Sequence, residues 1–103
     1  MMPDIIAKIK LYRTEDGGRQ GTTPSNKFGC LFVINGEYFD CRLLLQNTGS
    51  LSPGQSAIVP IVFLSPDLVK SLLNVKQSFH LWDGKIIADG EVLEIITEKQ
   101  CNQ

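Results

Sequence analysis

Apolar and polar residues alternate over several short stretches of this chain, and clusters of turn residues separate the stretches. Ile5, Ala7, Ile9 and Leu11 share one face of an extended segment, with Lys8 and Lys10 on the other. A period of two with one wet side predicts a half-buried strand over Ile5 to Tyr12. Glu15-Asp16-Gly17-Gly18 predicts a turn in which the two glycines supply positive φ. Arg19 to Lys27 is polar, holds Pro24 and Ser25-Asn26, and reads as an exposed connection. Phe28 to Ile34 and Glu37 to Leu45 flank Asn35-Gly36, the strongest short-range hairpin signal. A two-residue turn there pairs Ile34 with Glu37, Phe32 with Phe39 and Cys30 with Cys41. The expected core face carries Phe28, Cys30, Phe32, Ile34, Phe39, Cys41 and Leu43.

Gln46 to Ser50 is polar, and Ser52-Pro53-Gly54-Gln55 has the Pro-Gly centre of a type II turn. Ala57 to Leu64 predicts a third long strand, with Pro60 marking an edge or a bulge. Ser65-Pro66-Asp67 reads as a helix start: an N-cap serine, a proline at the first position and an acid near the positive end of the dipole. The helix is expected to end by Leu73 or Asn74, with Leu68, Val69, Leu72 and Leu73 lidding the core or offering an apolar patch. Ser78 to Trp82 and Lys85 to Ala88 predict a second hairpin around Asp83-Gly84. Gly90 reads as a bulge, Glu91 to Thr97 as the end of the last strand, and residues 98–103 as a frayed tail. About six strands and one short helix imply an all-β domain, a small antiparallel barrel or sandwich.

Composition narrows the class. At 103 residues the chain is expected to be a single domain, with the packed part spanning about residues 5–97. Hydrophobic residues make up 43% and charged residues 20%, which is globular rather than disordered. A net charge of −1 argues against strong non-specific nucleic-acid binding. No apolar stretch approaches the ~20 residues of a membrane-spanning helix. The early acid Asp4 and the lysines in the first apolar run argue against a secretory signal, so a cytoplasmic location is expected.

Candidate chemistry is sparse, and no enzyme activity and no cofactor are expected. Gly17-Gly18-Arg19-Gln20-Gly21 is glycine-rich, but it follows a polar turn and opens no helix, so it is read as a turn and not a phosphate cradle. His80 is the single histidine. It is placed on a strand near Ser78 and Asp83 with no third catalytic member in view. The three cysteines form no CxxC. Cys30 and Cys41, paired across the hairpin, would have Cα atoms about 5.5 Å apart, within disulfide reach. In a reducing compartment they are two small buried hydrophobes. A metal role would require Cys101 or His80 to converge on them, and no metal site is expected. Lys8, Lys10, Arg13 and Arg19, with Tyr12 interleaved, form the candidate patch for RNA or an acidic partner. The same residues also suit a solvated strand face whose lysines block aggregation, and Glu15 and Asp16 dilute the field. Trp82 beside Asp83-Gly84 is either an interface anchor or a cover for the barrel end.

The order of these turns resembles the C-terminal β-barrel, the third domain, of bacterial elongation factor Tu. That domain opens with a strand, a Glu-Glu/Asp-Gly-Gly-Arg turn and a loop ending in Ser-Asn; Ala7 to Tyr12, Glu15 to Arg19 and Ser25-Asn26 stand at matching spacing. Its Met-Pro-Gly-Asp is similar to Ser52-Pro53-Gly54-Gln55, and its His-Pro to Ser65-Pro66. Its Phe-x-Ile-Arg-Glu-Gly-Gly-Arg hairpin is similar to Phe79 to Lys85, one residue shorter. The resemblance covers about residues 5–97 and implies a six-stranded closed antiparallel barrel with one short helix. In the family this barrel packs on a GTPase domain, touches the T-stem of aminoacyl-tRNA and is contacted by the exchange factor. Carried over, Arg19 takes the place of the Gly-Gly-Arg arginine, and Asp83 that of a T-stem-facing glutamate. The chain departs from the family at its interaction surfaces. His-Thr-Pro-Phe-Phe is replaced by Gln20-Gly21-Thr22-Thr23-Pro24, an arginine by Trp82, and Pro-Gln-Phe by Gly29-Cys30-Leu31. A kept scaffold with a rewritten surface and no GTPase motif implies a protein-binding module using Arg19, Trp82 and Asp83. The partner would belong to the translation machinery or be a toxin, engaged by a decoy or immunity-type protein. The alternative is tRNA binding through Lys8, Lys10, Arg13 and Arg19.

Overall fold

The computed structural model describes residues 2–97. The strands are β1 (Ile5–Leu11), β2 (Lys27–Ile34), β3 (Glu37–Leu44), β4 (Ser56–Phe63), β5 (Ser78–Trp82) and β6 (Ile86–Ile95), with a 3-10 turn at Thr14–Asp16 and one α-helix, α1 (Pro66–Lys70), after β4. They form a closed antiparallel barrel in the order β1-β4-β3-β2-β5-β6, with β6 returning to β1. The all-β six-stranded barrel with a short helix is thus the observed fold. Among the described residues no helix is long and apolar enough to cross a membrane. Cys101 and the tail from residue 98 lie outside the described residues.

Alternation builds the core. Ile5, Ala7, Ile9 and Leu11 are all fully buried, and Lys8 and Lys10 point out. Asn35 and Gly36 both have positive φ, 53° and 78°, the conformation of a type I′ turn. That turn sets the β2–β3 register, and Ile34↔Glu37, Phe32↔Phe39 and Cys30↔Cys41 are the observed pairs. The expected core face is buried apart from Phe39, which is partly covered. Phe32 stands at its centre, stacked on Phe79 (4.2 Å between centroids, 25° between planes) and edge-on to Phe63 (4.9 Å, 86°). Each such aromatic contributes about 1.5–3 kcal/mol through burial alone.

Both barrel ends are tied down by polar contacts. At one end Thr23, read from sequence as part of an exposed connection, is buried. Its N–H donates to the Leu51 carbonyl, and its Oγ1 accepts the Leu51 N–H, both at 2.9 Å. Gln55 N–H closes the Pro53-Gly54 turn on Ser52 O at 3.0 Å. At the other end the Asp4 carboxylate accepts the Phe63 N–H at 2.8 Å and lies 3.6 Å from Lys70 Nζ. The helix is shorter than expected, and Ser65 makes no side-chain cap bond. Val69 and Leu73 lid the core, while Leu68 is exposed.

Three local expectations need correction. Pro60 lies at neither an edge nor a bulge. It pairs with Ile6 on β1, and its missing N–H faces the β3 side beyond Leu43↔Ile61, where that ladder ends. Gly90 is not a bulge either, because the ladder runs through it, opposite Ile9 and Phe79. The register slips instead at Leu93, skipped between Val92 and Glu94 opposite β1, and at Ile87, skipped between Ile86 and Ala88 opposite β5. Of the glycines at the first turn only Gly17 has positive φ. Gly18 is required for close approach, since a Cβ there would lie 2.1 Å from the Tyr12 carbonyl oxygen.

Candidate interaction surface

The outward positions of the strands form two chemically different faces. Over β1 and β6 the face is charged in alternation. Lys8 stands opposite Glu91 and Lys10 opposite Asp89. The four cations singled out in the sequence therefore do not form a patch of one sign. Arg13 Nε binds Asp16 at 2.9 Å, and its Nη1 lies 3.6 Å from Glu15. Arg19 turns inward: its guanidinium lies 4.8 Å from the centroid of Phe28. Its Nε and Nη1 are buried without a hydrogen-bond partner among the described residues. Arg19 covers the barrel end and is not a free surface cation.

His80 stands opposite Asp89, not Asp83, with Nε2 3.5 Å from Asp89 Oδ1. Tyr12 donates its phenol to the same oxygen at 2.6 Å. That hydrogen bond, with lesser contributions from burial and the carboxylate charge, pushes the Tyr12 pKa up to about 12. The phenol therefore stays protonated at neutral pH and is no nucleophile there. Because the folded pKa lies above the ordinary value near 10, the bond stabilises the fold fully below pH ~10. The contribution is lost as pH rises through about 12. Phenolate absorbance should show a late-titrating tyrosine that disappears in Tyr12→Phe, and denaturant midpoints of that variant should change less than wild type across this window.

The opposite face, over β5, β2, β3 and β4, is apolar and aromatic. Register sets Trp82, Leu31, Asp40 and Leu64 in one row. His80, Val33 and Tyr38 form a second row, and Gly29, Arg42 and Val62 a third. Tyr38 is 53% and Leu64 75% exposed, with Leu31, Val33, Val62 and Trp82 half-buried. Trp82 neither covers the barrel end nor projects freely: it meets Tyr38 edge-on, at 6.1 Å and 90°. A shallow groove of about 410 Å³ runs between Trp82 and Asp83 on one side and Asp40 and Arg42 on the other, over Gly29, Cys30 and Leu31. A second depression, of about 240 Å³, lies between Arg42, Val62, Phe63 and Leu64.

Of the residues marked in the sequence, Trp82 and Asp83 come together here, and Arg19 does not join them. Gly29-Cys30-Leu31, marked in the sequence as a departure from the family at its interaction surfaces, also lies here, while sequence reasoning missed Val33, Tyr38, Arg42 and Leu64. The signal was present, since β2 carries apolar residues on both faces and a strand facing water on one side should not. Beneath the groove Cys30 and Cys41 are free thiols with sulfurs 3.7 Å apart. Contact with Cys30, then burial, holds the Cys41 thiol well above its usual pKa and keeps it protonated.

No protein-family model matches this chain, and no curated protein matches it.

Proposed function

We propose that this chain is a non-enzymatic protein-binding module on a barrel like the third domain of elongation factor Tu. It engages its partner through the β5-β2-β3-β4 face. The observation that carries the reading is the concentration of half-exposed aromatic and aliphatic side chains there, with Trp82 held edge-on by Tyr38. Buried anchors at protein interfaces are enriched in Trp, Tyr and Arg, and this face holds all three in Trp82, Tyr38 and Arg42. Partners of the translation machinery, or a toxin that grips the elongation factor's barrel, fit the collinear turn motifs of the sequence. The tRNA reading is weaker, because Lys8 and Lys10 stand opposite acids and Arg19 is turned inward.

The test is retrieval of partners by the tagged chain from lysate of its source cells, with and without RNase. A protein recovered in both halves, and lost at least about tenfold with Trp82→Ala, is the expected result. Lys8→Ala with Lys10→Ala should leave recovery unchanged. Recovery that ignores Trp82→Ala removes this face from the account. Material that vanishes with RNase and carries tRNA establishes the nucleic-acid reading instead.

A further inference from the structure

The groove beside Trp82 has a definite charge pattern. Its floor is Leu31, which register places between Trp82 and Asp40, and Gly29, which has no side chain. Trp82 and Asp83 stand on one side, Asp40 and Arg42 on the other. Among the described residues Arg42 is the one cation lining it, and that cation is partly engaged. Its Nη1 donates to the Cys41 carbonyl at 3.1 Å, and its stem and guanidinium lie over Gly29. Asp40 and Asp83 are both exposed at its sides. The groove thus combines a fixed indole, an apolar floor and a carboxylate at each side.

We infer that this groove receives a cationic side chain, arginine or lysine, presented by the protein partner. The inference rests on the protein-binding reading and names what the partner must bring. An aliphatic stem suits the Leu31 floor, a cation is attracted to the indole face, and Asp40 and Asp83 supply the opposite charge. An acidic side chain would meet two like charges against one cation, and a neutral one would leave both carboxylates desolvated and unpaired.

Trp82 is the single tryptophan of the chain, so its fluorescence reports on the groove directly. The probes are the capped tripeptides acetyl-Gly-Arg-Gly-amide and acetyl-Gly-Lys-Gly-amide, and counterparts with norleucine or glutamate at the centre, titrated into the full chain at low salt. The cationic peptides should give a saturable change that weakens at high salt. Asp40→Asn and Asp83→Asn should each weaken it about three- to tenfold, with the unbound emission unchanged as evidence of an intact fold. The norleucine and glutamate peptides should give none at the same concentration. No saturable response to arginine, or an equal response to norleucine, overturns the inference.

Partner retrieval separates this inference from the reading beneath it. If Trp82→Ala loses the partner and the Asp40→Asn, Asp83→Asn double variant retains it fully, the module stands and the cation-binding groove falls. If both variants lose the partner and the peptides behave as expected, both stand. If the wild-type chain retrieves nothing, the module reading fails and the peptide titration alone decides the chemistry of the groove.

Discussion

Gly90→Ala is expected to lower the unfolding free energy by about 3 kcal/mol, the upper end of the usual overpacking range. A Cβ at this position would lie 2.1 Å from Phe79 Cζ, 2.3 Å from Cε1 and 2.7 Å from Cε2. The ring has nowhere to retreat, because Phe32 stacks on it at 4.2 Å. Gly90 itself is held on both flanks, by Ile9 and Phe79. Total stabilities of domains this size are about 5–15 kcal/mol, so the loss should move a denaturant midpoint plainly. The contact makes a second demand on the data. Phe79→Leu shortens the ring that collides, and the alanine should cost much less in that background, with a coupling of about 1–3 kcal/mol. Additive effects would mean that Gly90 serves the backbone and not the ring above it.

Asp4→Ala is expected to cost about 2–3 kcal/mol, and Asp4→Asn about half that. The side chain of Asp4 is only 14% exposed, and one carboxylate reaches two elements. Oδ2 accepts the Phe63 N–H at the end of β4, and Oδ1 lies 3.6 Å from Lys70 of α1. The Asp4 backbone adds an N–H to Ile61 O and a carbonyl to Ile96 N–H, so the residue sits where β1, β4, β6 and the helix meet. Asparagine keeps an acceptor for the Phe63 amide and loses the ion pair; alanine loses both. Hydrogen exchange at the Phe63 amide should quicken in the alanine variant well before global unfolding, and only slightly in the asparagine variant.

Those two residues show what was legible from sequence and what was not. The alternation from Ile5 to Leu11 and the Asn35-Gly36 turn are local signals, and the structure follows them residue by residue. Gly90 was visible as a special position, but a glycine inside a strand marks either a bulge or a close neighbour. Only the placement of Phe79 decides between them. The true bulges fall at Ile87 and Leu93, residue types that carry no bulge signature. Pro60 was misread for a related reason, since whether a missing N–H matters depends on how far the neighbouring ladder extends. Asp4 gave no sign of this role, because its side-chain partners Phe63 and Lys70 are about sixty residues away in sequence.

The candidate surface was half legible. Trp82 and Asp83 drew notice as a large aromatic and an acid at a turn. Leu31 and Val33 were signalled by the apolar residues on both faces of β2, but joining them to Tyr38, Arg42 and Leu64 depends on cross-strand register between β5, β2, β3 and β4. The surroundings of the basic residues depend on register in the same way. Lys8, Lys10, Arg13 and Arg19 look like a cluster when counted along the chain. The fold sets Glu91 and Asp89 beside two of them and folds the fourth over Phe28.

Closure of the barrel also has a consequence in time. β1 finds partners only in β4 and β6, with Ile5 beside both Ile61 and Ile95. On a ribosome the apolar face of β1 emerges early and must wait for a strand made much later. Meanwhile the β2–β3 hairpin is complete from nearby residues long before the other local ladder, β5–β6, is made. Topologies ruled by such distant pairings fold in milliseconds to seconds rather than microseconds. A chain halted before Ile86 would expose open flanks on β1 and β5 together with unburied core residues, the form of intermediate that aggregates or is held by chaperones.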